Sequence, residues 1–441
     1  MPFIANTDAD RQKMLDTVGV KSVEELFSDI PAAHRFPQLG LDRALSEMEV
    51  MRELESMAAK NASASNSAWF LGAGAYNHFI PAAVGMLATR GEFLSAYTPY
   101  QPEVSQGTLQ AIFEYQSMAG QLLGMDAVNA SHYDGSTALA EAILMAYNQS
   151  ASRHRILIPA ALHPEYKDVL RTYFEAFEVE LVEYQGLPQD GLKMLDDQTA
   201  CLVASYPDFE GRIQQLAGVA DAVHAAGALF IVHADPVMLG LFKSPGELGA
   251  DIVTAEGQSL GNAMNYGGPF LGMMGVTQKL VRKMPGRLVG QTVDGKGRRG
   301  FVLTLSAREQ HIRREKAVSN ICSNQGLVML MTTIHLELLG KHGLKKVAEL
   351  CWNKSHYAAE QINKVGGYKV AEGQFFKEFV VKTPRPAAEI AEKLERRGIV
   401  PGLPLSRYYK DRTHELLVCV TEMNTKAQID LLAQALAEVG V

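Results

Sequence analysis

From about residue 65 onward, helix-forming stretches alternate with short apolar runs, and no other feature of the sequence constrains the fold as strongly. The runs are Arg155-Ile156-Leu157-Ile158, Val179-Glu180-Leu181-Val182, Ala200-Cys201-Leu202-Val203-Ala204, Leu229-Phe230-Ile231-Val232 and Asp251-Ile252-Val253-Thr254. Each is too short for a buried helix. A strand that is apolar throughout must be covered on both faces, and helices crossing over both sides of a parallel sheet provide that cover. Gly218 to Ala226 reads as a helix closed by Gly227, and the strand Leu229–Val232 follows at once. Residues 65–320 therefore read as a large α/β domain with a mostly parallel sheet.

The flanks follow other patterns. Residues 1–64 read as an N-terminal helical arm, too short to enclose a core of its own and so destined to pack on another surface. Thr7-Asp8-Ala9-Asp10 caps a short helix, and Ser22-Val23-Glu24-Glu25 is a capping box before Leu26 and Phe27, ended by Pro31. A longer helix is expected over roughly Leu41 to Lys60. Residues 321–441 read as a small C-terminal α+β domain. Its elements are a helix from Gln325 to Leu339, a strand over Glu378–Val381, a helix from Pro386 to Arg397, a strand over Glu415–Val420 and a closing helix from Thr425 to Val439.

Composition narrows the function classes. The net charge is -7 and the pI near 6.0, without a basic stripe, which argues against a nucleic-acid partner. Cys201, Cys322, Cys351 and Cys419 form no CxxC pair, which argues against a zinc site or a disulfide framework. The polar, acidic start lacks the layout of a signal peptide, and no stretch is long and apolar enough to cross a bilayer. The expectation is a cytoplasmic, bacterial protein that binds no metal.

A large parallel α/β domain followed by a small C-terminal one resembles the plan of fold-type I pyridoxal-phosphate (PLP) enzymes. That chemistry asks for a helix N-terminus to hold the phosphate, a carboxylate to pair with the ring nitrogen, and a lysine to bond the aldehyde. Gly135, Ser136 and Thr137, following Asp134, put small and hydroxyl-bearing residues where a helix begins; they are either a phosphate cradle or an ordinary N-cap. Asp235 follows the strand Leu229–Val232, where ligands bind in open α/β sheets; it is either the ring-nitrogen partner or a residue capping the next turn. The lysine is missing. The turn where it belongs reads Ala255-Glu256-Gly257-Gln258-Ser259-Leu260-Gly261-Asn262, and the nearest lysines in sequence, Lys243 and Lys279, lie before the strand and well beyond the turn. Gly135, Ser136, Thr137, Asp235 and Gln258 are thus candidates for a vestigial cofactor site, with Ser259 at the lysine position and Asp235 reduced to local hydrogen bonding.

Several blocks carry a more specific likeness. Gly72-Ala73-Gly74-Ala75-Tyr76, the run from Tyr97 through Thr98-Pro99-Tyr100-Gln101-Pro102-Glu103-Val104-Ser105-Gln106 to Gly107, the run Arg308 to Lys316, and Ser319-Asn320-Ile321-Cys322 closely resemble glycine decarboxylase, the P-protein family of the glycine cleavage system. The likeness spans essentially the whole chain. In that family some organisms split the enzyme into two subunits, and the length and the end at Val441 match the lysine-lacking one. The resemblance implies a PLP-bearing partner with His-Lys where this chain has Gln258-Ser259, an α2β2 assembly, glycine as substrate and the lipoylated H-protein as aminomethyl acceptor. It implies no catalytic residue of this chain's own and no cofactor bound by it.

The Tyr97–Gly107 block makes a poor helix and a poor central strand. It reads as a rigid loop whose Tyr97, Tyr100, Gln101 and Glu103 either fill an interface or complete the partner's site and substrate channel. His132, His163 and His233 read as structural histidines. Arg308 to Lys316, with Glu309 and Glu315 interspersed, is a solvated face or part of the subunit interface. Gly295 to Gly300 reads as a mobile loop. Three functions compete: a site-completing subunit, a self-sufficient PLP enzyme using an unexpected lysine, and a scaffold that adds no active-site group. The missing lysine opposes the second, and the polar Tyr97–Gly107 cluster opposes the third.

Overall fold

The computed structural model describes residues 5–149, 152–317, 319–321 and 325–440. Cys322, the last residue of one of the blocks above, and Val441 lie outside them. The chain divides into two compact units, Met1–Asn61 and Ala62–Val441.

In the first unit, Thr7 caps the helix Asp8–Val18 through a reciprocal box with Asp10, and Gly19 closes it in the left-handed conformation. The second box does not form. Val23–Phe27 is a short 3-10 turn that Ser22 does not cap, and Glu25 instead accepts from the Lys21 amide. The longer helix is shorter than expected, Glu47–Ala58, because Ser46 and Glu49 form the box that sets its start. No residue of these elements is buried; Met48, Met51, Leu54 and Met57 form an exposed apolar row at three-residue spacing.

The second unit is built on a seven-stranded sheet. Its order is Ala127–Val128, Gly272–Val276, Ile252–Glu256, Leu229–Ala234, Thr199–Tyr206, Arg155–Pro159 and Glu180–Tyr184. The last five are mutually parallel, and Gly272–Val276 runs antiparallel between the first strand and Ile252–Glu256. Side chains alternate between two apolar layers. Leu157, Leu202, Phe230, Val232 and Val253 enter one core, while Ile156, Cys201, Val203, Ile231 and Ile252 enter the other. Apolar runs without polar alternation are explained by this cover on both faces.

A four-stranded antiparallel sheet, ordered Lys369–Val370, Glu378–Lys382, Glu415–Cys419 and Leu403–Pro404, packs against the helices Ala387–Glu395 and Lys426–Val439. The helix expected to end at Leu339 continues to Asn363, interrupted only by the non-helical Gly340. Gly295–Gly300 forms the tip and one shoulder of the hairpin made by Leu288–Val293 and Arg299–Thr304, where Asp294 accepts from the amides of Lys296 and Arg298. Among the described residues, no helix is long and apolar enough to cross a membrane.

Candidate functional site

The C-terminal ends of the parallel strands open into a crevice of about 850 Å³, walled by Trp69, Asp134, Ser136, His163, Tyr166 and Tyr266 among others. A smaller cavity shares His163, Tyr166 and Glu256 with it and is lined further by Ser205, His233, Asp235, Ser259 and Glu378. Of the expected cofactor-site residues, Ser136 lines the crevice and Asp235 and Ser259 line the small cavity.

The anchoring points of a cofactor are nevertheless taken by the chain itself. Gly135 begins the helix Gly135–Gln149, and its amide donates to Glu256 Oε2 at 2.8 Å. The other oxygen of Glu256 accepts from the amides of Gln258 at 2.8 Å and Leu271 at 3.0 Å. Asp134 Oδ1 takes the amide of Thr137 at 2.9 Å and the hydroxyl of Ser136 at 2.5 Å. Two side-chain carboxyl groups thus take the amide donors that a phosphate would need. A Cβ at position 135 would lie 2.7 Å from the Tyr166 hydroxyl and 2.9 Å from Glu256 Cβ, so glycine is needed for the close approach. Burial pushes the Glu256 carboxyl up to about 8, against the three amides that favour its charged form.

At the other end, Asp235 Oδ1 accepts from the Val237 amide at 2.9 Å, the turn-capping role expected of it. Its second oxygen makes a bond the sequence did not disclose: Lys377 Nζ lies 2.7 Å away, with both side chains buried. Burial raises Asp235, but the Lys377 ammonium outweighs it and holds the carboxyl below its usual range. Burial likewise lowers Lys377, and Asp235 more than restores it. The pair is ionised. Lys377 reaches the site from the residue before the strand Glu378–Lys382, far along the chain from Asp235, so local spacing carried no sign of it.

Gln258 is fully enclosed and holds the backbone of Tyr76 in both directions, accepting from its amide at 2.8 Å and donating to its carbonyl at 3.0 Å. Ser259 is buried and lines the small cavity. That cavity measures about 70 Å³, room for about two waters and far below the roughly 300–1,000 Å³ of sites for ligands of cofactor size. The residues present do not fit PLP: the turn offers no lysine to bond the aldehyde, the carboxylate for the ring nitrogen is paired, the donors at the helix end are taken by Glu256 and Asp134, and the space beside Ser259 is small.

The Gly72–Tyr76 block now has a physical reading. A Cβ at Gly72 would lie 2.6 Å from Glu378 Oε1 and 2.7 Å from Cys419 Cβ. The tight passage lets the Ala73 amide and the Tyr76 hydroxyl both donate to Glu378, at 2.6 and 2.7 Å. Of the three histidines, His132 meets Asn129, His163 meets the Ala73 carbonyl and His233 meets Thr254. Among the described residues, His78, Cys351 and Glu422 cluster as metal ligands might, but an ammonium 3.2 Å from His78 Nε2 opposes a bound cation. Cys201, Cys351 and Cys419 are buried free thiols.

Tyr97, Tyr100, Gln101 and Glu103 lie elsewhere. None of the four lines the crevice or the small cavity. They occupy the irregular segment before the helix Gln106–Leu123 and are exposed, Tyr97 to 77%. Tyr97 borders a separate cavity of about 190 Å³ with Phe93, Ile112, Arg287 and Leu330. The Tyr100 hydroxyl accepts from the buried Arg287 at 3.1 Å, and its ring meets His311 edge-on. Arg287 also faces Glu309 at 3.4 Å, and Arg308 donates to the carbonyls of Met284 and Gly286. The Arg308–Lys316 run is therefore tied down at its start rather than wholly solvated.

Comparison with known proteins agrees with this arrangement. Residues 1–436 match the family model described as glycine cleavage system P-protein. A protein of Thermomicrobium roseum named probable glycine dehydrogenase (decarboxylating) subunit 1 is 51% identical over 99% of both chains, and one of Desulforamulus reducens with the same name is 50% identical over the whole of both. A crystal structure of glycine decarboxylase (P-protein) in inhibitor-bound form superimposes over the full length of both chains with a TM-score of 0.91 at 41% identity. Mouse CSAD, at 16% identity and a TM-score of 0.70, shares the fold alone. With its fold preserved across that whole span, the chain belongs to the glycine cleavage system P-protein family.

Proposed function

We propose that this chain is the lysine-lacking subunit of a two-subunit glycine decarboxylase and acts only together with a PLP-bearing partner, in an α2β2 assembly of the cytoplasm. The partner holds the cofactor and supplies the chemistry of decarboxylating glycine; the aminomethyl group passes to the lipoyl group of H-protein. This chain's residues shape the cavity and channel from across the interface. Tyr97, Tyr100, Gln101 and Glu103 present phenols and polar groups that orient glycine's carboxylate or line the lipoyl channel. Gly135, Ser136, Thr137, Asp235, Gln258 and Ser259 are relics of a cofactor site turned to structural use.

One observation carries this reading: a complete P-protein fold whose own crevice has Ser259 in the lysine position and only about 70 Å³ left beside it. The unburied apolar row of the helix Glu47–Ala58 supports an arm that packs on a partner. The test is glycine-dependent release of carbon dioxide, with lipoylated H-protein, by this chain alone, by the partner alone and by both. Activity is expected only from the mixture. Turnover by this chain alone, or undiminished turnover by the partner alone, would overturn the proposal.

A further inference from the structure

Lys377 meets three different groups, and together they tie the smaller sheet to the larger one. Its ammonium lies 2.7 Å from Asp235 at the end of the strand Leu229–Ala234, 3.2 Å from His78 Nε2 and 3.5 Å from the centre of the Tyr76 ring. An ammonium has nothing to accept with, and it sits here among a carboxylate it pairs with, an imidazole nitrogen it donates to and a π face. With Nε2 accepting, His78 Nδ1 carries the proton that goes to Glu422 Oε2 at 2.7 Å. Glu422 follows the strand Glu415–Cys419; its other oxygen accepts from the Phe79 amide at 2.7 Å, and its carbonyl takes the Lys354 ammonium. Glu378, next to Lys377, grips Ala73 and Tyr76 as described. Segment 72–79 is thus held between a charge from the large sheet and three from the small-sheet region, all away from water.

We infer that Lys377 substitutes for a bound ligand, clamping the small-sheet region onto the large sheet through Asp235 so that this subunit keeps one fixed arrangement with nothing in its crevice. The inference stands apart from the proposed function, because it concerns the chain's internal order and needs no partner. A second tie between the regions, the backbone bridge of Arg212 with Phe375 and of Ile213 with Gln374, supplies the alternative: the sheets stay together without the clamp.

Amide hydrogen exchange of the full chain, read at residues 72–79 and 374–382 and referenced to the helix Lys426–Val439, distinguishes the two. Lys377→Met keeps the bulk and removes the charge, leaving Asp235 buried and unpaired. Exchange in both segments is expected to accelerate roughly a hundredfold or more, the scale set by breaking one partner out of a buried pair. The double variant Lys377→Met with Asp235→Asn removes both charges and is expected to recover most of that loss, the sign of direct coupling. In Lys377→Ala, n-propylammonium chloride is expected to slow exchange again, whereas n-propanol and potassium chloride at equal concentration are not. Exchange in Lys377→Met within about twofold of wild type would overturn the inference, as would a double variant as loose as the two single effects combined, or equal rescue by n-propanol. Should Lys377→Met not fold, the double variant folding where the single does not supports the clamp, and both failing alike overturns it.

Discussion

The crevice and the Tyr97–Ser105 segment spend the same kinds of side chain in opposite ways. Around the small cavity beside the crevice, Asp235, Glu256, Gln258, Lys377 and Glu378 all turn inward onto partners from this chain, and little space remains there. In the segment, Tyr97, Gln101, Glu103 and Val104 are exposed, and Tyr100 is tied back through Arg287. The difference teaches where recognition is retained. Polar groups that satisfy one another have nothing left for a ligand, whereas a constrained loop with exposed phenols and amides keeps its capacity for another molecule.

The largest effect that would test this contrast belongs to Asp235→Asn. It leaves the Lys377 ammonium buried without a counter-charge, and a loss of about 3–5 kcal/mol in unfolding free energy is expected, read from urea midpoints. Complexes that still assemble are expected to decarboxylate glycine at the wild-type rate. A fall in rate with assembly intact would mean that the crevice is a working site and the contrast is false. Next come Tyr100→Phe and Gln101→Ala. A buried hydrogen bond to a charged group is worth about 1.5–3 kcal/mol, so losing one used in turnover slows the assembled enzyme by about tenfold to a hundredfold. If both variants assemble and turn over normally, the loop is interface filler.

Glu256→Gln sharpens the contrast through pH. The folded carboxyl is raised to about 8, above the roughly 4.3 of an unfolded glutamate. Stability tied to its proton is complete below the unfolded value and is lost as pH rises through about 8. Wild type is therefore expected to lose ground to Glu256→Gln between pH 5 and 8, by up to about 4 kcal/mol in urea unfolding. A difference that does not change with pH across that window would show that the three amides hold the group ionised. The smallest expected effect is none: borohydride reduction of the chain with PLP, followed by peptide mapping, should leave no single lysine modified. A specific label, on Lys377 above all, would reopen the crevice.

The parts of this arrangement that depend on local periodicity were legible in the sequence. The strands fell close to their expected places because unbroken apolar runs have no other stable home. The network was not legible. Lys377, Glu378 and Glu422 meet Tyr76, His78 and Asp235 only once two sheets are packed, and Glu256 looked like one residue of a turn until its carboxylate was seen on the Gly135 amide. The Gly72–Tyr76 block was visible as a motif but not as a passage, since its crowding comes from Glu378 and Cys419. Capping boxes proved ambiguous on their own: Thr7 and Ser46 form theirs, whereas Ser22 sits before a tighter turn that presents no amide to it.

The grip of Gln258 on Tyr76 has a consequence for how this protein ages. A carboxamide that donates to one carbonyl and accepts from the neighbouring amide behaves like a detached peptide group. Hydrolysis to glutamate replaces the donating nitrogen with an oxygen, and that oxygen would then face the carbonyls of Tyr76 and Asn262, now 3.0 and 2.9 Å from the nitrogen. Two attractions become two repulsions for a mass change of about one dalton. Enclosure, at 1% exposure, keeps out the water such hydrolysis needs. The residue is protected from deamidation for as long as the fold stays shut, and deamidation after a transient opening would leave a chain that closes less well than before.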